Sequence, residues 1–510
     1  MSKIIPSQNQ LNIYAAVESV VKNIIVSATA GSGKTTTLVN AFPFMQGEIL
    51  NIAFANNTVN TLVRKIEEVF GLQNDFDAKT KRFKSLPITV KTSNSTGASL
   101  LYGAGFKYRP VLLDGSDVPI GKQKYYAAVK NAGYPFEKQG PMVKLINEIR
   151  MNLISTEAEL KELFEEFDTD ILTFSDARIA LQLVKDNSKD ARFIDFLDQL
   201  YLPVVFGLKP RTYPDWICVD ECQDLSSLQR KILMTHIGPN TKTFWVGDKM
   251  QAMFLFAGAA LNSIELIKKE LKEFSGEEPV QLPLDICYRC AKSIVREAQK
   301  VNTFIQPYEG QEEGIVRYIK NEELLSQLRL GDTVLSRTNA PLLKLAFQLI
   351  GAGMKVTVRG RDFSSNLINF VKKYSSQESL DFCGDLNYNA RNDASKQLSL
   401  ENQRKYELIL DKLSCCNAIC EMNSVKSFSD FEVIVKDIFS DAKSPITLSV
   451  IHRVKGDEFS RVFVLNHEHL GVPWKPTEKE IQGEIAVKFV CITRAQRELV
   501  FVASPLKERT

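Results

Sequence analysis

Two short stretches carry residue types that could do phosphate chemistry. Residues 26–38, VSATAGSGKTTTL, run from an apolar segment into a glycine-lined turn that closes on Gly33-Lys34-Thr35. Such a turn aims several backbone N–H groups at phosphate oxygens, and the helix behind it adds positive potential at its N-terminus. Ala28, Thr29, Ala30, Gly31, Ser32, Gly33 and Thr36 form the expected cradle, with Gly31 letting the backbone turn. Lys34 is the expected partner of the β- and γ-phosphates, and the Thr35 hydroxyl the expected ligand of Mg²⁺. Residues 216–224, WICVDECQD, end an apolar strand on two acids. Asp220 would hold the metal through water, and Glu221 would polarise the attacking water as general base. Together the stretches predict hydrolysis of a nucleoside triphosphate and not binding alone.

Such groups need rigid elements behind them. The chain alternates short β-branched runs with longer helical patterns, which predicts an α/β fold of doubly wound parallel sheets. One set of expected strands covers 23–28, 49–55, 88–92, 216–220 and 242–247. A second covers 332–337, 354–360, 446–451, 461–466 and 498–504, enough for a second sheet. Residues 98–193 and 364–443 read instead as mostly helical insertions. The acidic run TEAELKELFEEFDTD (156–170) reads as a solvated helix face.

The chain of 510 residues carries 64 Lys+Arg against 61 Asp+Glu, a net charge of +3, so any nucleic-acid site must be a local patch. No apolar run approaches the ~20 residues that span a bilayer, so no membrane partner is expected. Nine cysteines without a secretion signal suit a reducing cytoplasm. Cys287 with Cys290, and Cys415 with Cys416 and Cys420, have spacings that suggest zinc, but ordinary buried thiols are the expected reading.

Further stretches, from residue 6 to about 503, resemble in order and spacing the UvrD/Rep-type superfamily 1 DNA helicases. PSQNQ (6–10) resembles that family's adenine-reading motif, which implies that Gln10 reads the base of ATP. VGDKMQAMFLFAGA (246–259) resembles the third motif and implies that Gln251 senses the γ-phosphate. LPLDICYRC (282–290) resembles the fourth, with Tyr288 on the base and Arg289 at the γ-phosphate. IHRVKGDEF (451–459) and FVCITRAQREL (489–499) resemble the fifth and sixth, giving Glu458 the ribose and Arg494 the arginine-finger role. An arginine in a second domain touches the γ-phosphate only when two domains close over ATP, which is the cycle a stepping motor needs.

The resemblance implies two RecA-like P-loop NTPase domains. The first is expected over 1–97 and 194–281, around the insertion 98–193. The second is expected over 282–363 and 444–510, around the shorter insertion 364–443. IDFLDQLYLP (194–203) is assigned structural duty.

The resemblance also implies an ATP-dependent translocase and helicase moving 3′→5′ on single-stranded DNA and duplex/single-strand junctions. NIAFANNTVNTL (51–62) resembles a DNA-facing motif in which Phe54 stacks and Asn56 makes a polar contact. KTSNSTG (91–97) resembles another, with Thr92 near the strand's backbone. Phe254 and Phe256 fall where the family stacks bases, and Arg337 and His452 are further candidates. Stacking on an aromatic is worth about 1–3 kcal/mol per base and tolerates any sequence. Basic KTKRFK (79–84) reads as a solvated loop or as an extension of this groove. Asn57, Asn94, Ala257, Val450 and Asp457 depart from residues common in the family, all in DNA-facing or coupling motifs. Alternatives are a motor of opposite polarity or on RNA, and an ATP-switched DNA-binding or recruitment module that does not unwind. Replication or repair proteins are the expected partners, in the cytoplasm of a bacterial or phage-infected cell.

Overall fold

A computed structural model describes residues 6–19, 21–53, 56–106, 109–110, 120–167, 169, 171–189, 193–253, 262–352, 354, 356–359, 361–375, 382–399, 409–410, 412–413, 416–417, 419–421, 425–438, 446–472 and 478–504. The chain divides into two compact units, Met1–Asp285 and Ile286–Thr510.

Unit 1 is built on one large sheet, with a separate two-stranded pairing of Arg109–Pro110 and Phe193–Ile194. The strands of the large sheet are β1 (Asn23–Ala28), β2 (Ile49–Ala53), β3 (Phe76–Asp77), β4 (Arg82–Phe83), β5 (Ile88–Thr92), β6 (Trp216–Val219), β7 (Lys242–Gly247) and β8 (Val280–Leu284). Their spatial order is β8-β1-β7-β6-β2-β5-β4-β3. The first six in that order run parallel, and β4 and β3 add an antiparallel edge. Successive strand residues point to opposite faces, and here both faces are buried. Ile24, Val26, Trp216, Cys218, Phe244 and Val246 enter one core with helices Gln8–Glu18, Lys34–Ala41 and Asn56–Phe70. Ile25, Ile217, Val219 and Trp245 enter the other with helices Ser227–Met234 and Ser263–Ser275. Two-sided burial is why these strands read as unbroken apolar runs. All five strands expected in this set are present. The sequence motif that begins at Leu282 contributes β8, paired to β1.

Helices Ile120–Asn131, Phe136–Met151, Glu157–Glu166 and Phe174–Ser188 bury a separate core against Ser93–Gly103 and Asp198–Val205. The acidic helix Glu157–Glu166 opens with a capping box from Thr156 and Glu159. Near this core lies an ion network. The fully buried Arg150 guanidinium donates to Asp195 at 2.7 and 2.8 Å and to Asp198 at 2.9 Å, and stacks 4.1 Å from the Tyr125 ring centroid. Lys124 Nζ completes it, 2.6 Å from Asp198.

In unit 2, β9 (Ile315–Ile319), β10 (Thr333–Ser336), β11 (Val356–Val358), β12 (Ile446–Val450), β13 (Phe459–Leu465) and β14 (Ala495–Val502) form a second sheet, ordered β9-β14-β13-β10-β12-β11. All of its pairings are parallel. Helices Arg361–Tyr374, Phe382–Ser399 and Phe428–Ile438 share one core with this sheet, through Leu367, Phe370, Leu386 and Phe431 against Val334, Leu448 and Phe463. The helices described within 364–443 therefore belong to the unit's core. Helix Lys292–Gln299 packs on β9, β14 and helix Glu478–Ile492. The two parallel α/β sheets are of the RecA-like kind that the sequence predicts. Among the described residues no helix is long and apolar enough to cross a membrane.

Candidate functional site

In unit 1 the chemistry-bearing residues gather at the C-terminal ends of the parallel strands. β1 ends at Ala28, and the chain turns through Thr29–Gly33 before helix Lys34–Ala41 begins. Gly31 (φ 68°) and Gly33 (φ 79°) take left-handed conformations that side-chain-bearing residues adopt at a cost. Thr29, Ala30 and Ser32 are fully buried beneath the turn, which is braced by Ser32 Oγ donating to the Thr29 carbonyl at 2.8 Å. No side chain caps the N-terminus of the helix, an arrangement suited to an anion. Lys34 is only 9 % exposed. Thr36 Oγ1 accepts from Lys65 Nζ at 3.3 Å.

Gln10 is buried beside this loop. Its Nε2 donates to Thr37 Oγ1 at 3.0 Å, and its Oε1 accepts the Ser7 backbone N–H at 2.9 Å in a capping box. The amide is thus anchored by one bond at each end.

β6 delivers the acids. Thr35 Oγ1 donates to Asp220 Oδ2 at 2.7 Å, joining residues 185 apart in sequence. Burial, reinforced by the neighbouring Glu221 charge, pushes the Asp220 carboxyl up to about 6. A buried carboxylate beside a hydroxyl is a hard oxygen donor set, and a divalent cation there would offset the cost of that charge. The residues present therefore fit Mg²⁺.

Glu221 sits in a left-handed conformation (φ 55°) unusual for a side-chain-bearing residue. Its Oε1 lies 3.7 Å from Lys34 Nζ, and its Oε2 accepts from Gln223 Nε2 at 2.5 Å. Gln223 Oε1 in turn accepts the Asp248 N–H at 3.0 Å, and Asp248 Oδ2 accepts from Gln251 Nε2 at 2.5 Å. A continuous chain of hydrogen bonds therefore runs from Glu221 to Gln251, with Gln223 and Asp248 almost wholly buried. A Cβ on Gly247 would lie 2.7 Å from both Cys222 Sγ and Gln223 Oε1, so only glycine lets β7 come this close. Gln223 and Asp248 are links that sequence reading passed over. Their only signal was position, beside the paired acids and beside the third motif.

Unit 2 gathers a second cluster. Arg289 Nε donates to Glu458 Oε2 at 2.7 Å, and a terminal nitrogen donates to the Thr493 carbonyl at 3.2 Å. Arg494 is fully buried, donating from Nε to the Val490 carbonyl at 3.1 Å and from its fork to the Asp457 carbonyl at 2.9 Å. Tyr288 packs on Tyr308 with ring centroids 5.0 Å apart. The fourth, fifth and sixth sequence stretches thus meet in one place. Cys287 and Cys290 flank Tyr288–Arg289 as buried free thiols; Cys416 and Cys420 are buried too, and Cys415 lies outside the described residues.

The expected nucleic-acid residues divide. Phe54, Phe254, Phe256 and the Asn56 side chain lie outside the described residues. Thr92 caps helix Ser93–Gly103, its hydroxyl accepting the Ser95 N–H at 3.2 Å. Arg337 forms a two-pronged pair with Glu484, with contacts of 2.6 and 2.9 Å. Burial, with Arg337 nearby, pushes the His452 imidazole down to about 4. In the basic run 79–84, Phe83 is 1 % exposed and meets Phe76 edge to face, so this aromatic belongs to the core. Phe196 does the opposite. It lies in the stretch assigned structural duty, yet its ring is 64 % exposed while its carbonyl accepts from Asn94 Nδ2 at 2.9 Å.

A UvrD/REP helicase N-terminal domain matches residues 9–272, and a UvrD-like helicase C-terminal domain matches residues 143–505. The matches overlap over 143–272, which lies within unit 1. No curated protein matches the chain. Among solved structures, the arterivirus nonstructural protein 10 helicase aligns with 11% identity and a TM-score of 0.37, covering 99% of this chain and 64% of that one. The same arterivirus helicase solved with DNA aligns at the same identity and TM-score, covering 98% and 64%. The chain thus spans less than two thirds of the length of these structures.

Proposed function

Because the chain belongs to the UvrD/REP helicase family, we propose that it is an ATP-driven motor on DNA, hydrolysing ATP to move 3′→5′ along a single strand and open duplexes. The observation that carries this reading is the relay Thr35–Asp220 and Glu221–Gln223–Asp248–Gln251 beside the loop at Lys34. A binding module has no use for a general base wired to a buried glutamine; a motor that must register phosphate loss does.

In this reading Lys34 and the uncapped helix N-terminus hold the β- and γ-phosphates, and Gln10 orients toward adenine. Thr35 and Asp220 would hold Mg²⁺, which supplies charge neutralisation on the phosphate oxygens when bound. Glu221 takes the proton of the attacking water, a role worth typically 10²–10⁴-fold. Its Gln223 bond aims the carboxylate, and loss of the γ-phosphate is passed through Asp248 to Gln251. Arg289 and Arg494 neutralise the transferring phosphate, with Tyr288 on the base and Glu458 on the ribose. Arginine fingers contribute about 10³–10⁵ to such reactions.

For the nucleic acid, Thr92, Asn56, Phe54, Phe254, Phe256, Arg337 and His452 remain the proposed contacts, and Phe196 joins them as an exposed stacking face. Unwinding of partial duplexes with single-stranded tails of either polarity tests the reading. Opening of the 3′-tailed substrate alone, dependent on ATP, is expected. Opening only of a 5′-tailed or an RNA substrate would overturn the track or polarity, and ATP-dependent binding without opening would make the protein a switched clamp.

A further inference from the structure

We propose that the tip of the β3–β4 hairpin, through Lys79 and Lys81, is a further nucleic-acid contact that takes the phosphodiester backbone of a single strand. The proposal rests on the reading that a strand lies along the rim at Thr92. Four observations carry it.

The first is register. β4 runs antiparallel to β5, with Arg82 opposite Thr89, and the Val90 N–H donates to the Lys81 carbonyl at 2.9 Å. Traced backwards from Lys81, the chain passes Val90 toward Lys91 and Thr92. The hairpin tip therefore stands at the C-terminal end of the parallel strands, the end that carries Thr92, the Lys34 loop and Glu221.

The second is anchoring. Phe83 is buried and stacked edge to face on Phe76, and Asp75 accepts both the backbone N–H and the hydroxyl of Ser85 at 3.1 and 2.8 Å. The base of the hairpin is fixed, so its tip has a defined position.

The third is charge. The one acid at the tip is spent on the turn: Asp77 accepts the Lys79 N–H at 2.9 Å and the Thr80 hydroxyl at 2.8 Å. Arg82 is paired with Glu48 at 2.7 Å. Among the described residues neither Lys79 nor Lys81 has an ion-pair partner, and Lys79 is exposed. Two cations, Lys79 exposed and Lys81 half-buried, thus stand at a rim with their local acid already occupied.

The fourth is residue choice. Lys81 has φ 60°, a left-handed conformation that glycine or asparagine would adopt more cheaply by roughly 1 kcal/mol. A lysine standing in a glycine-type position fits a demand for its ammonium group.

The test is binding of a labelled poly-dT oligonucleotide to the full chain over a series of salt concentrations. Each phosphate neutralised contributes about 0.7 to the salt slope for a single strand. Lys79→Ala with Lys81→Asn, the asparagine keeping the left-handed turn, should lower the slope by about 1.4. The ratio of wild-type to variant affinity should then be about 7-fold larger at 50 mM than at 200 mM salt. Lys79→Arg with Lys81→Arg should keep the wild-type slope. ATP hydrolysis without DNA and the melting temperature should not fall in the Ala/Asn variant. An unchanged slope in that variant, beside a wild type that binds, overturns the hairpin contact and leaves the motor reading standing. A slope that changes only on blunt duplex also overturns it. Failure of the wild type itself to bind any single strand counts against the motor reading.

Discussion

Replacing Arg150 with methionine removes a cation from a buried network and leaves the Asp195 and Asp198 carboxylates facing each other with Lys124 and two backbone N–H donors to offset them. Both carboxylates are 2 % exposed or less, and Arg150 supplies three of their hydrogen bonds. Removing one side of a buried ion pair costs about 3–5 kcal/mol, because the partner charge stays desolvated. At roughly 2–4 °C per kcal/mol for a domain of this class, the melting transition of unit 1 should fall by about 6–20 °C. The pH dependence has a definite sign. Burial, then repulsion from Asp195, already raises the Asp198 carboxyl, while Arg150 and Lys124 hold it down. Without Arg150 its folded-state value rises further above the unfolded one. The unfolded chain then binds fewer protons than the folded chain, so the variant's deficit shrinks as pH falls from neutrality through that raised value. Adding Asp195→Asn to Arg150→Met should recover much of the lost stability. Thermal melts followed by circular dichroism between pH 5 and pH 8 measure all three effects. A single variant that melts within 2 °C of wild type, or a deficit independent of pH, would refute a buried charged network here.

Other outcomes follow from the same geometry. Phe196→Ala should weaken single-strand binding by about 1–3 kcal/mol, roughly 5–150-fold, without changing hydrolysis in the absence of DNA, as fluorescence anisotropy and a phosphate-release assay would record. Asp220→Asn should raise the Mg²⁺ concentration needed for half-maximal hydrolysis by about 10–100-fold, measured by titrating the metal at saturating ATP.

Much of the candidate site was legible because its signal is local. Thr29 to Thr35 are consecutive, and a strand ending in Asp220-Glu221 carries its own pattern. Two-sided burial also made the central strands visible as apolar runs. What escaped depends on partners far along the chain. Arg150 reads as an exposed helix residue until Asp195 and Asp198, 45 and 48 residues on, close over it. The strand Ile315–Ile319 went unread because it is largely exposed and carries Arg317 and Tyr318, so it shows no unbroken apolar run, and its pairing lies far along the chain with Glu498–Val502. Phe83 is covered although its run reads as solvated, and Phe196 is exposed although its stretch reads as structural, since sequence records that both are aromatic but not which ring the fold covers. Gln223 was missed for a related reason: its importance lies in joining Glu221 to Asp248, two residues that β6 and β7 bring together.

The central claim is that hydrolysis at Lys34 and Glu221 is coupled to a nucleic-acid strand. Steady-state ATP hydrolysis with and without single-stranded DNA, in the wild type and in Glu221→Gln, measures it most directly. The expected result is strong stimulation by the strand in the wild type, with the variant slower by about 10²–10⁴-fold while it still binds ATP. Hydrolysis indifferent to DNA, or surviving intact in Glu221→Gln, would contradict the account.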